Sequence, residues 1–208
     1  SNTLNTELAA GRIALTQQSD FPWSGKVTVT VDAAPEAETT LHLRIPGWSE
    51  DTTVKVNGDA VDVPGQGPRY LALRRAWAAG DRIEMALDIT PRIHIARPEV
   101  EETRNQAAVM AGPVVYCLEG ADLPEGVCID EVALAPDTTF EPIEGKGLFA
   151  GLTLLRATLP RRAAWTSAAL YAPLARQPAA TTEVTLIPYF GWNNRDDNTM
   201  AVWLPLKG

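Results

Sequence analysis

The chain has 208 residues, 45% of them hydrophobic, enough to bury a sizeable core as one large all-β domain or two of about 100 residues each. Its formal net charge of −8 offers no broad attraction to phosphate backbones or anionic lipid, so neither nucleic acid nor a membrane surface is an expected partner. No apolar run approaches the ~20 residues of a spanning helix, and residues 1–10 lack a basic stretch followed by an apolar one, so a soluble chain is expected, in the cytoplasm or the periplasm.

Ser1-Asn2 resembles the scar of a cleaved tag, and Gly11 leads directly into a strand; both imply a chain that begins inside a longer protein. From Lys26 to Asp32 the sequence alternates strictly, setting Val27, Val29 and Val31 on one face and Lys26, Thr28 and Thr30 on the other, the pattern of a half-buried strand. The same period returns in Leu41, Leu43 and Ile45, in Val54 and Val56, in Leu71 and Leu73, and in Ile83, Met85, Leu87 and Ile89. Between these strands stand Pro46-Gly47, Asn57-Gly58, the run from Pro64 to Pro68, and Gly80-Asp81, all turn formers. Asn57-Gly58, between Val56 and Val61, predicts a hairpin, because both residues tolerate the positive φ of a type I′ turn. With no helical period long enough for a crossover, antiparallel sheets packed face to face are expected.

The first sandwich is taken to end near Val100, where Ile93 and Ile95 run into Pro98 and the charged stretch 99–104, giving domains 1–100 and 101–208. The second half carries an apolar run, Val114 to Leu118, bounded by Gly112-Pro113 and Gly120; it reads as a strand buried on both faces, or as a buried helical turn. From Glu119 to Glu144 every charged residue is acidic, and Pro124, Pro136 and Pro142 interrupt the segment, so mostly loop is expected around a short strand at 132–134. Strands resume at 152–159, 184–189 and 200–204, with room for a short helix within 161–180. The overall expectation is all-β: two consecutive antiparallel β-sandwich domains of jelly-roll or immunoglobulin-like type.

Catalytic chemistry finds few residues to work with. His42 and His94 both fall on the polar face of an alternating strand, and no nucleophile elbow, phosphate-cradling glycine loop or HExxH is present. Cys117 and Cys128 lie eleven apart without further Cys or His at zinc spacing. Cys117 reads as a small core hydrophobe, while Cys128 is either a free loop thiol or its disulfide partner. The scattered carboxylates between Asp122 and Glu144 lack EF-hand spacing. No catalytic, cofactor or metal residue is therefore assigned. Of the six tryptophans, Trp23, Trp48 and Trp192 sit near turns and are the candidates for exposure. Trp192 and Arg195, in the segment from Tyr189 to Arg195, are the expected anchors of any ligand or interface contact. The plain alternative for that segment is a turn in which Arg195 pairs with Asp196 or Asp197.

Leu15 to Gln18 with Phe21-Pro22-Trp23, Leu43 to Trp48, Val56-Asn57-Gly58, Tyr70-Leu71 through Trp77, Gly80-Asp81, Gly112 to Glu119, Ile187 to Arg195, and Met200 to Trp203 follow one another in the chain. As a collinear series they resemble the post-catalytic region of glycoside hydrolase family 127. The loops 121–146 and 161–180 stand outside that match. The resemblance implies an upstream (α/α)6 barrel followed by two β-sandwiches, and a β-L-arabinofuranosidase that uses a cysteine nucleophile, a glutamate acid/base and a zinc ion held by a glutamate and three cysteines. Two cysteines and no counterpart of the barrel leave no catalytic residue to carry over to this chain. The resemblance therefore implies an accessory scaffold, inactive alone, whose partners are the missing catalytic barrel and a second copy met through the second sandwich. The competing expectations are an autonomous carbohydrate-binding module that takes glycan at the turn tryptophans, and an adhesion module marked by a Cys117–Cys128 disulfide.

Overall fold

The computed structural model describes residues 1–65, 67–162, 168–171, 180–195 and 199–207. The chain divides into two compact units, Ser1–Thr90 and Pro91–Gly208. Each is built of antiparallel strands joined by turns and short 3-10 segments.

The first unit begins with a hairpin of β1 (Asn2–Leu8) and β2 (Gly11–Ser19), followed by β3 (Lys26–Ala33) and β4 (Thr39–Ile45). Then come β5 (Thr53–Val56), β6 (Asp59–Val61), β7 (Arg69–Arg75) and β8 (Arg82–Ala86). Six of them form one sheet in the order β1-β2-β3-β8-β5-β6, and β4 pairs with β7 in a second, two-stranded sheet. The alternation in the sequence explains the layering. Val31, Val54, Val56 and Ile83 of the larger sheet are buried against Leu73 and Trp77, with Leu41, Leu43 and Leu71 packed beside them. Lys55, His42 and Arg44, one position out of phase, are exposed, as the two-residue period requires. The Trp77 indole N–H donates to the Thr39 carbonyl at 2.9 Å, so the ring is buried without an unpaired donor.

Asn57 and Gly58 both take positive φ, 54° and 91°, as the hairpin between β5 and β6 demands. That turn is bonded to the one before β8. Asn57 Nδ2 donates to Asp81 Oδ1, and Asn57 Oδ1 accepts the Arg82 N–H, both at 2.8 Å. Asp81 also accepts the Ala78 N–H at 2.9 Å, and this bond, with that from Asn57, holds its carboxyl below the usual carboxylate range.

The second unit starts earlier than the change in composition near Val100 suggests. β9 (Pro91–His94) pairs with β10 (Gln106–Ala111), not with a strand of the first unit, because the pairing of a strand is fixed by its partner's register and not by the charged loop that follows it. Beyond β10 lie β11 (Val114–Glu119), β12 (Glu141–Glu144), β13 (Thr153–Arg161) and β14 (Ala180–Pro188). Two short strands close the chain, β15 (Met200–Ala201) and β16 (Leu204–Pro205). The sheet runs β12-β13-β14-β11-β10-β16, with β9 on β10 and β15 on β11. β10 and β11 change partners along their lengths, from β9 to β16 and from β10 to β14 and β15, which wraps the sheet about its core.

The run from Val114 to Leu118 is a strand and not a helical turn, buried at all positions but Val115. Cys117, Phe149, Leu154 and Ile187 form one buried cluster, with Ile143, Leu152, Met200 and Val202 against it. The expected strand at 132–134 is reduced to two isolated bridges, Val132 to Arg161 and Leu134 to Leu206. The expected short helix within 161–180, together with Trp165, falls largely outside the described residues.

Candidate functional site

The turn residues singled out from the sequence fall into two groups, one in each unit. In the first unit, the turn between β2 and β3 contains a cis Phe21-Pro22 peptide. The Phe21 N–H donates to Ser19 Oγ at 3.0 Å, and the Trp23 N–H to the Asp20 carbonyl at 3.0 Å. Trp48 follows β4 in the turn Pro46-Gly47, which Ser49 closes by donating its N–H to the Pro46 carbonyl at 3.3 Å. Buried Ser49 also accepts the Asp88 N–H at 2.8 Å and shares a 2.7 Å bond with Thr52, tying that turn to the strand region after β8. Phe21 stacks on Trp48 with ring centroids 6.1 Å apart and planes 22° from parallel. Trp23 and Trp48 are half-buried, whereas Phe21 is 48% exposed.

In the second unit a 3-10 turn, Tyr189–Gly191, leaves β14. Trp192 donates its N–H to the Tyr189 carbonyl at 3.3 Å, and the rings of Tyr189 and Trp192 stack at 6.5 Å and 14°. Trp192 is half-buried against the core cluster. Tyr189 is 44% and Phe190 63% exposed. Asn193 adopts φ 62°, so the chain reverses there, and Asn194 Nδ2 donates to the carbonyls of Gly191 and Trp192 at 3.0 and 3.2 Å.

The reversal sends Arg195 back over the end of β11. Its Nε and Nη2 donate to Glu119 Oε2, the first at 2.9 Å, and its Nη1 and Nη2 to Asp122 at 2.8 and 2.5 Å. The other Glu119 oxygen accepts the Asn193 backbone N–H at 2.8 Å. Glu119 is 1% exposed, so one guanidinium supplies most of the donors that a desolvated carboxylate needs. The bonds that Arg195 donates to Asp122, and those to Glu119, raise its pKa above its already high value, so its charge is permanent. The guanidinium carbon also stands 5.0 Å from the Phe149 ring centroid.

Arg195 is thus engaged by two carboxylates more than seventy residues away in sequence, while Asp196 and Asp197, the local partners expected for it, lie outside the described residues. The sequence reading missed Glu119, Asp122 and the exposed ring of Phe190. One signal pointed to the first: Glu119 continues an apolar strand without a break, and a charge in such a place calls for a buried partner.

Cys117 lies beneath this cluster, fully buried, and Cys128 is exposed; both are free, so the disulfide that would mark an adhesion module is absent. Burial first, and then the negative charges of Glu119 and Asp122, push the Cys117 thiol up to about 12. A zinc site of one glutamate and three cysteines does not fit a chain with two cysteines, one of them held firmly as the thiol. Among the described residues no group of three or more His, Cys, Asp or Glu is placed to hold a metal ion. His42 and His94 are both exposed.

Together these features define an antiparallel β-sandwich pair with stacked aromatic turns and a buried ionic clasp. Two family models account for the chain: the GH127 middle domain of beta-L-arabinofuranosidase matches residues 1–89, and the glycoside hydrolase family 127 C-terminal domain matches residues 91–205. The chain belongs to glycoside hydrolase family 127. It is 33% identical over 220 aligned positions to the non-reducing end beta-L-arabinofuranosidase of Bifidobacterium longum subsp. longum, covering 96% of this chain and 31% of that protein. Among solved structures, a glycoside hydrolase superposes with a TM-score of 0.91 at 33% identity, over 99% of this chain and 34% of the other. The GH127 beta-L-arabinofuranosidase of Geobacillus stearothermophilus T6 does so with a TM-score of 0.88 at 30% identity, over 99% and 32%. The chain therefore spans about a third of the length of the relatives it matches.

Proposed function

We propose that this chain is the non-catalytic scaffold of a family 127 glycoside hydrolase acting on arabinofuranosyl-containing glycans. In this reading it packs on a catalytic barrel supplied by the rest of the full-length protein, and its second unit takes part in a homodimer. The observation that carries the reading is the pair of matches to a middle and a C-terminal domain, in a chain that spans about a third of the length of its relatives. Physical chemistry points the same way. The two histidines are strand-surface residues, one cysteine is held as an unreactive thiol, and the ionic clasp spends Arg195 on structure. Sandwiches of this kind can cover the apolar flank of a neighbouring domain and fix the loops beside its cleft. Incubation of the purified 208-residue chain with β-L-arabinofuranosyl oligosaccharides tests the reading: no arabinose is expected. Release of sugar by this chain would overturn it.

A second reading, glycan binding, has one observation in its favour: each unit carries a stacked aromatic pair with an exposed ring, Phe21 on Trp48 and Tyr189 on Trp192. Isothermal titration with arabino-oligosaccharides separates the two. Heat of binding that is lost in Trp48→Ala or Trp192→Ala would establish a sugar module, and a flat titration would leave the scaffold.

A further inference from the structure

The two layers of the first unit are unequal. Six strands face two, and the inner face of β1 and β2 extends past the covering pair. The uncovered end is a cleft of about 220 Å³. Its floor is made by Asn2 and Leu4 of β1, Leu15 and Gln17 of β2, and Val29 and Ile83 behind them, and its one wall by Leu41, His42 and Leu43 of β4. These floor residues are the alternate, inward-facing positions of paired strands, with Leu4 opposite Leu15 and Asn2 opposite Gln17. Yet β1 is exposed along its whole length, Leu4 to the extent of 49%. Among the described residues β4 pairs only with β7, so its other backbone edge borders the cleft with its hydrogen-bonding groups unmatched by any strand.

We propose that this cleft is a strand-acceptor site: an extended segment of the full-length polypeptide, from outside residues 1–208, adds to the free edge of β4 and closes the sandwich over β1 and β2. Three features fix the kind of occupant. An adjacent strand lies about 4.8 Å from its neighbour, and facing sheets about 10 Å apart, so a strand beside β4 falls over Leu15 and Leu4. The alternating floor selects a segment with apolar side chains at every second position, and the open edge supplies main-chain pairing. The relatives of this chain are about three times as long, which gives the segment a source in the same polypeptide. An edge that is paired in the full-length protein also needs no protection of its own, consistent with leucines at Leu41 and Leu43 on the inner face and Thr40, His42 and Arg44 as the outward polar groups.

The proposal rests on the reading of this chain as part of a longer enzyme, and its test is independent of sugar release. Hydrogen exchange is followed by mass spectrometry in the 208-residue chain and in the full-length protein. Peptides covering Thr39–Ile45 should exchange more than roughly tenfold more slowly in the full-length protein. Leu4→Asp, at a half-exposed position, should abolish that protection while leaving exchange in β8 unchanged. Equal exchange of β4 in both proteins would overturn the proposal, as would protection in the isolated chain that vanishes on dilution, which would identify a second copy as the occupant. An inert chain with equal exchange sinks only the strand site, whereas a chain that releases arabinose sinks the scaffold reading.

Discussion

Glu119 is the most deeply buried charge among the described residues. A carboxylate at 1% exposure is tolerable only because Arg195 and the Asn193 N–H saturate it. Arg195→Ala leaves that charge buried without its partner, and the cost for such a loss is about 3 kcal/mol; urea titration should show the midpoint fall accordingly. Arg195→Lys should recover only part of this, since an ammonium cannot place a planar fork across two carboxylates. Beneath the clasp, Cys117 should be inert. In the native chain at pH 8 a thiol reagent should count one cysteine, Cys128, and in guanidinium two. The sign of the pH effect follows from the raised pKa. Unfolded Cys117 ionises near 9.0 and folded Cys117 at about 12, so its contribution to stability is complete below pH 9 and is lost as pH rises from 9 through 12.

At the scale of the elements, two glycines separate conformational from steric cost. Gly58 sits at φ 91°, and a Cβ there would meet nothing within 4 Å, so Gly58→Ala carries only the left-handed backbone penalty of about 1 kcal/mol. Gly25 is buried, and a Cβ there would stand 1.9 Å from the Leu87 carbonyl oxygen, at the point where the Leu87 N–H bonds the Gly25 carbonyl at 2.9 Å. Gly25→Ala must therefore part β3 from the chain beyond β8, and thermal melting should fall well below that of Gly58→Ala. The first of these sites was legible in the sequence and the second was not. Asn57-Gly58 announces its turn through local chemistry, whereas the need for glycine at 25 arises from the backbone of Leu87, distant in sequence and just beyond β8. The same division runs through the whole fold. Val27, Val29 and Val31, or Leu41, Leu43 and Ile45, disclose their strands by period alone. β1 stays hidden because NTLNTEL has too few apolar residues to mark a buried face, and β12 because its residues lie in an acidic, proline-broken stretch. For the candidate site, proximity to turns located Trp23, Trp48 and Trp192. The pairing of Arg195 with Glu119 and Asp122 has no periodic signature, so only the lone charge at the end of an apolar strand hinted at it.

For the molecule as a whole, the division between the units decides which fragments can stand alone. The charged stretch 99–104 looks like a connector in sequence, yet β9 lies before it and pairs with β10 through Ala108 to His94, Val109 to Ile93, Met110 to Arg92 and Ala111 to Pro91. A cut between Thr90 and Pro91 leaves every named strand pair inside one fragment. A cut after Val100 takes β9 from its partner and bares an edge of β10, a strand whose Ala107, Ala108 and Val109 are buried. Exposed apolar edges recruit other chains. The fragment 91–208 should therefore be recovered with cooperative thermal unfolding. The fragment 101–208 should melt lower and associate with rising concentration in analytical ultracentrifugation. Fragment 1–90 should fold in either case, because its core of Val31, Val54, Val56, Leu73, Trp77 and Ile83 draws on no residue beyond Met85. If 101–208 proved as stable and monomeric as 91–208, β9 would contribute nothing to the second sandwich, and the boundary would belong at the charged stretch after all.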